Sequence, residues 1–183
     1  MKAFAELPCD NIAIISKKIY QYIQSKNCLD QNIEGWHFLD TVDLINFVPE
    51  LLEFFSKYKL YVRHSAVTIL TKELALHVDP LPVIAKINFP VLNTEGWSNI
   101  WYSLPQEYLD STEKIITKFG DQKEDIGQLP ESIYTLEAEL PNLKLPIVFH
   151  SRLPHKVVPI NPIGSPRIIA SFTFYNQPTH LLS

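Results

Sequence analysis

The sequence predicts a mainly β jelly roll braced by N-terminal helices, on three observations. From residue 60 onward the chain divides into short runs rich in β-branched and aromatic residues. Explicit turn signals separate those runs: Asp79-Pro80, Asn93 to Gly96, Pro141-Asn142 and Asn161 to Pro166. Before residue 60, apolar residues recur at helical spacing instead. At 183 residues, 46% of them hydrophobic and 11% aromatic, the chain has the size and apolar content of one domain with its own core. Its 14 prolines are scattered, as expected where many short strands end in turns that cannot continue a ladder.

Asp10 is expected to cap a first helix running to about residue 25, because Ile12, Ile15, Ile19, Tyr22 and Ile23 share one face. A second helix is expected over about 43–58, with Pro49 early in its strongest half and Leu51, Leu52, Phe54 and Phe55 as its apolar face. Residues 1–59 thus read as a helical support. The strands are expected at 60–70, 74–79, 83–92, 99–104, 133–138, 146–150, 156–160 and 167–175. Residues 106–128 interrupt this 60–175 core. Tyr108, Ile115, Ile116 and Phe119 among many charges predict a surface helix there, followed by a polar loop. Asp121 to Asp125 reads as a lid over a jelly-roll mouth or, more simply, as a solvated connection. With no repeat or linker, 1–183 reads as a single domain.

The formal charge of -4, from 16 basic and 20 acidic residues, argues against a sequence-independent grip on nucleic acid. Cys9 and Cys28 are too few for a disulfide framework or a cysteine-rich zinc site, which fits a reducing cytoplasm. No apolar run approaches the roughly 20 residues of a membrane helix, and no basic segment with an apolar stretch opens the chain. A soluble, unprocessed protein is therefore expected. Nothing in the sequence fixes its oligomeric state.

The chemistry concentrates in three places. In His77-Val78-Asp79, residues two apart on a strand share a face, so an imidazole and a carboxylate point together while Val78 packs behind. Such a pair is weak evidence alone, since about 0.26 arise by chance at this His and Asp content. His155 opens a later β run and can complete a face of three ligands. Two histidines and one carboxylate leave open positions on an octahedral ferrous ion, whereas a structural zinc site would be closed by a fourth ligand. Arg167 lies inside an otherwise apolar strand, where its planar fork requires a partner such as a carboxylate to offset desolvation.

The H-x-D, distant H and following R pattern of these residues resembles the 2-oxoglutarate and Fe(II)-dependent dioxygenases over about residues 60 to 175. The segment Ala85 to Asn93 is similar to small bacterial and phage members with a prolyl- or aspartyl-hydroxylase-like core. The resemblance implies a double-stranded β-helix, iron on His77, Asp79 and His155, and Arg167 on the distal carboxylate of 2-oxoglutarate. It further implies oxidation of a second substrate, a small molecule or a peptide side chain such as proline, with succinate and carbon dioxide as by-products. Many relatives carry serine or threonine two residues after the arginine, where Ile169 stands here. Ser171 keeps the same strand face, and Tyr102 and Asn88 are further candidates for lining the pocket, against a plainer role in packing and turns. Rival readings are a cupin-like metal enzyme that does not use 2-oxoglutarate and an inactive jelly-roll binding protein.

His150 competes with His155 but fits the strand layout less well. His37, His64 and His180 read as structural or solvated. Trp97 and Trp101 read equally as a substrate entrance or as caps on the core.

Overall fold

A computed structural model of the chain describes residues 1–27, 34–79, 82–105, 114–116, 122–124 and 130–183. Strand β1 (Phe4–Glu6) precedes helix α1 (Ile12–Ser25); β2 (Gly35–Leu39) is followed by α2 (Thr41–Phe47) and α3 (Glu50–Lys57). Then come β3 (Val62–Leu70), β4 (Leu74–His77), β5 (Ala85–Leu92), β6 (Trp97–Ser103), β7 (Lys114–Ile116) and β8 (Gln122–Glu124). The chain ends with β9 (Thr135–Pro141), β10 (Ile147–His150), β11 (His155–Pro159), β12 (Arg167–Phe174) and a short 3₁₀ turn, Pro178–Leu182.

Two antiparallel sheets face each other, one ordered β1-β10-β5-β12-β3-β2 and the other β4-β11-β6-β9. This is the double-stranded β-helix expected from the short, turn-punctuated runs. All eight expected strands form, with ends shifted by about one to three residues, the ordinary uncertainty of strand boundaries.

The helical half departs from expectation in three ways. Asp10 does not cap α1; Asn11 holds the N-cap position without a side-chain hydrogen bond, and Ile15 N–H donates to the Asn11 carbonyl. The second helix is two. Asp40 caps α2 by accepting from Asp43 N–H (2.9 Å), and the helix stops at Val48, whose φ of -125° and ψ of 72° lie outside the helical region that a following proline disfavours. Finally, β1 and β2 add strands to both edges of the six-stranded sheet, pairing with β10 and β3. Within 106–128, Lys114–Ile116 and Gln122–Glu124 pair as a two-stranded antiparallel ribbon, so Ile115 and Ile116 do not belong to a helix. Tyr108, Phe119, Asp121 and Asp125 lie outside the described residues.

The period of two divides the large sheet into two chemistries. On β12, Ile168, Ala170, Phe172 and Phe174 pack with Ile15, Ile19, Leu51 and Phe55 of the helices, joined by Ile87 and Phe89 of β5. The alternate residues Arg167, Ile169 and Ser171, with Lys86, Asn88 and Thr68, face the smaller sheet instead. The helices therefore seal one face, and the polar positions of the other are enclosed between sheets. Smaller apolar clusters close that gap: Trp101, Ile147, Phe149 and Ile169 form one, and Leu70, Trp97 and Val157 another. Gly96 (φ +76°) joins β6 to the turn before it, because any Cβ there would collide with the Asn161 backbone. Among the described residues no helix is long and apolar enough to cross a membrane.

Candidate active site

His77 closes β4 and His155 opens β11, and the antiparallel pairing of those strands makes the two residues register partners. Their ring centroids lie 4.3 Å apart. Asp79 follows just beyond the strand end, where its N–H donates to the Ser151 carbonyl (3.1 Å) and its own carbonyl accepts from Arg152 Nη1 (2.6 Å). Val78 points away and is completely buried, as strand alternation requires. One ligand atom from each of His77, Asp79 and His155 falls within 4.8 Å of the others.

Both imidazoles are oriented by their own backbone. His77 Nδ1 lies 2.8 Å from the Ala75 carbonyl, and His155 Nδ1 lies 2.8 Å from the Leu153 carbonyl. A carbonyl only accepts, so each Nδ1 carries a proton, and in the neutral ring Nε2 is the nitrogen that presents a lone pair. His77 Nε2 is 3.8 Å from Asp79 Oδ1, and His155 Nε2 is 3.8 Å from Asp79 Oδ2. These separations exceed a hydrogen bond and suit donors arranged around a common centre.

Lys86 completes the cluster, with Nζ 2.7 Å from Asp79 Oδ2. Burial alone would raise the Asp79 carboxyl, but Lys86, then His155 and His77, outweigh it and hold the group well below the usual carboxylate range. Asp79 is thus kept ionised inside the protein, as a ligand for a cation must be.

A cavity of about 430 Å³, counting its open mouth, runs between the sheets beside this cluster. Its lining includes His77, His155, Lys86, Asn88, Asn99, Ser171 and Arg167. Arg167 is fully buried, its Nη2 donating to Asn99 Oδ1 (3.1 Å) and its Cζ 5.9 Å from the centre of the Trp97 ring. Nε and Nη1 have no hydrogen-bond partner among the described residues. Burial pulls the guanidinium down to about 10, still far above neutral pH, so a charged fork with two unsatisfied donors lines the cavity. A buried cation with donors to spare calls for an anion beside it.

Of the residues singled out from sequence, His77, Asp79 and His155 come together, and Arg167, Asn88 and Ser171 line the adjoining cavity. Ser171 donates to Asn88 Oδ1 (2.7 Å), so the two are tied to each other. Tyr102 is not among the cavity's lining residues; its ring lies against Tyr134 (centroids 5.9 Å) and beneath Lys156 Nζ (5.5 Å). Strand alternation places Asn99 and Trp101 inward on β6 and Tyr102 outward. His150 ends β10 outside the triad, and burial lowers its basicity. His37, His64 and His180 are likewise outside the cavity lining. Trp97 and Trp101 are buried and cap the core, with Trp101 stacked on Phe4 at 4.9 Å. Lys86 and Asn99 escaped the sequence reading. The signal for Lys86 was a charge alternating with apolar residues on Asn88's strand face.

Fold and site together define a double-stranded β-helix with a two-histidine, one-carboxylate cluster and a buried arginine in one cavity. Its fold is similar to a prolyl-4-hydroxylase from Pseudomonas putida, at a TM-score of 0.52 and 9% identity over 96% of this chain and 94% of that one. It is also similar to the epimerase SnoN in complex with Fe3+, alpha ketoglutarate and nogalamycin RO, at 0.52 and 11% over 93% and 78%. HygX from Streptomyces hygroscopicus, with nickel and 2-oxoglutarate bound, is similar at 0.50 and 10% over 93% and 81%. No protein-family model and no curated protein sequence matches the chain.

Proposed function

We propose that the chain is an Fe(II)- and 2-oxoglutarate-dependent oxygenase, acting as one domain, that hydroxylates an unactivated C–H bond of a second substrate. One observation carries the reading: a fully buried arginine with two unpartnered donors shares a cavity with a His-Asp-His cluster. A metal enzyme acting on a directly chelated substrate has no use for that arginine, whereas a cosubstrate with a distal carboxylate does.

The donor set fits the metal. Two neutral imidazole nitrogens and one carboxylate suit ferrous iron and leave coordination positions open, and no fourth protein ligand joins the three among the described residues. His77, Asp79 and His155 hold the iron. The Arg167 guanidinium would pair with the distal carboxylate of 2-oxoglutarate, with Asn99 holding its plane in place. Trp97, Leu70 and Val157 keep water from that end of the cavity. Asn88 and Ser171 form part of the cavity lining between. When bound, iron and 2-oxoglutarate supply oxidative decarboxylation to succinate and carbon dioxide, coupled to oxidation of the second substrate. That substrate is a small molecule or a peptide side chain, a peptidyl proline among them. The similar folds described with Fe3+ and alpha ketoglutarate, and with nickel and 2-oxoglutarate, support the choice of cofactors.

Anaerobic titration with Fe(II) and 2-oxoglutarate tests the reading directly. A visible charge-transfer band is expected in the native protein, together with slow succinate formation on admission of air. A protein that binds Fe(II) yet develops no band with 2-oxoglutarate would sink it.

A further inference from the structure

The cavity is more positive than the proposed cosubstrate requires. Two cationic side chains, Lys86 and Arg167, point into it, and its lining has no aspartate or glutamate among the described residues, in a chain whose net charge is -4. With a dication on Asp79 and a dianionic cosubstrate in place, one positive charge remains unbalanced. Cations so enclosed require an anion nearby.

Lys86 is the cation whose position decides the matter. Strand β5 runs antiparallel to β12 with Leu92 opposite Ile168 and Asn88 opposite Ser171. Lys86 therefore lies beyond Asn88, roughly 20 Å of strand away from the Arg167 end at about 3.4 Å per residue. The two residues enter the cavity from opposite ends, Lys86 with its Nζ beside Asp79 and Arg167 with its guanidinium on Asn99. Lys86 rests with Nζ 2.7 Å from Asp79 Oδ2 and 5.3 Å from the centre of the Phe149 ring, its side chain 17% exposed. A dication on the same carboxylate competes for the single negative charge that Lys86 now balances. The ammonium is then held at the metal end, still mostly enclosed, facing a centre of its own sign. The distal carboxylate of the cosubstrate is at the other end and cannot serve it.

We propose that Lys86 anchors a carboxylate of the substrate to be oxidised, so that this substrate is a small carboxylic acid or an acidic amino acid, free or within a peptide. Resting on the oxygenase reading, the inference narrows its substrate class. Lys156, whose Nζ lies over the Tyr102 ring, adds to the field without facing Asp79.

Acetate is a sufficient probe. In anaerobic protein loaded with Mn(II) and saturated with 2-oxoglutarate, the methyl protons of acetate should show saturable paramagnetic relaxation, and those of neutral acetamide should not. Lys86→Met should weaken the acetate effect at least tenfold while binding Mn(II) no more weakly than the native protein, and Lys86→Arg should retain it. The same acetate must leave the Fe(II)·2-oxoglutarate band intact, which separates a second anion site from displacement of the cosubstrate. Equal relaxation in native and Lys86→Met protein, or none in native protein that forms the band, overturns the proposal while leaving the oxygenase reading in place. Relaxation by phosphate alone overturns the carboxylate assignment. Absence of the band in native protein removes both.

Discussion

His77 and His155 are cross-strand partners, their rings 4.3 Å apart, with each Nδ1 turned to a backbone carbonyl two residues earlier. The metal-facing nitrogen of both is therefore set by main-chain geometry before any ion binds. Replacing either by alanine is expected to lower affinity for Fe(II) or Mn(II) by more than about 100-fold, beyond the usual loss from an outer-shell partner. Neither change should unfold the protein, since both side chains lie at the cavity rather than in the helix-backed core. Calorimetric titration with Mn(II), paired with thermal melts, checks both halves.

Arg167 should reveal itself by two opposite effects. Its burial without a partner for Nε and Nη1 costs stability in the ligand-free protein, so Arg167→Met, similar in length and uncharged, should be neutral or up to about 2 kcal/mol more stable. The same substitution removes charge-assisted donors to a carboxylate, and 2-oxoglutarate affinity should fall by about 100-fold with metal binding retained. Denaturant melts and titration of the Fe(II) band report the two separately. A clear loss of stability together with unchanged 2-oxoglutarate affinity is the result that removes the assigned role.

What was legible in the sequence follows the range of each physical rule. Strand alternation is local, so His77, Val78 and Asp79 could be assigned to faces from three letters, as could Arg167, Ile169 and Ser171. Tyr102 failed by one residue of parity: it is Asn99 and Trp101 of β6 that face inward. Lys86 and Asn99 acquire their meaning only from partners on other strands, and strand pairing is not written in local periodicity. The same limit hid β1 and β2, which are short and owe their pairing to β10 and β3. Pro49 was visible, but an apolar face continuing beyond it outweighed the rule that a residue preceding proline leaves the helix.

The Asp79–Lys86 pair predicts a definite pH dependence in the metal-free protein. The Asp79 carboxyl is held below its ordinary value of 3.8, so between its folded and unfolded titrations the unfolded chain binds more protons. The pair's stabilisation is therefore complete above that ordinary value and fades as pH falls toward the lower, folded one. Asp79→Asn leaves Lys86 enclosed without its charge partner and should cost about 3 kcal/mol at neutral pH. The gap between native protein and variant should narrow as pH falls below 4. Urea unfolding from pH 5 downward measures it, and a gap that widens below pH 4 would contradict the sign.

Ser171 separates a cavity wall from a cosubstrate ligand. Its hydroxyl has a single proton, and that proton is given to Asn88 Oδ1 at 2.7 Å. What remains on the Ser171 oxygen is lone pairs, which repel a carboxylate. In this arrangement the side chain holds Asn88 across the β5–β12 pair, which predicts no direct part in binding 2-oxoglutarate. Ser171→Ala strands a buried carbonyl oxygen on Asn88 and should cost about 1–3 kcal/mol of stability. Cosubstrate affinity should change by less than about threefold, far below the loss at Arg167. Ser171→Thr keeps the hydroxyl and should restore most of the stability if its extra methyl group is accommodated in the cavity. A large loss of 2-oxoglutarate binding in Ser171→Ala, with stability unchanged, would mean that the hydroxyl turns from Asn88 to the cosubstrate once the cavity is filled.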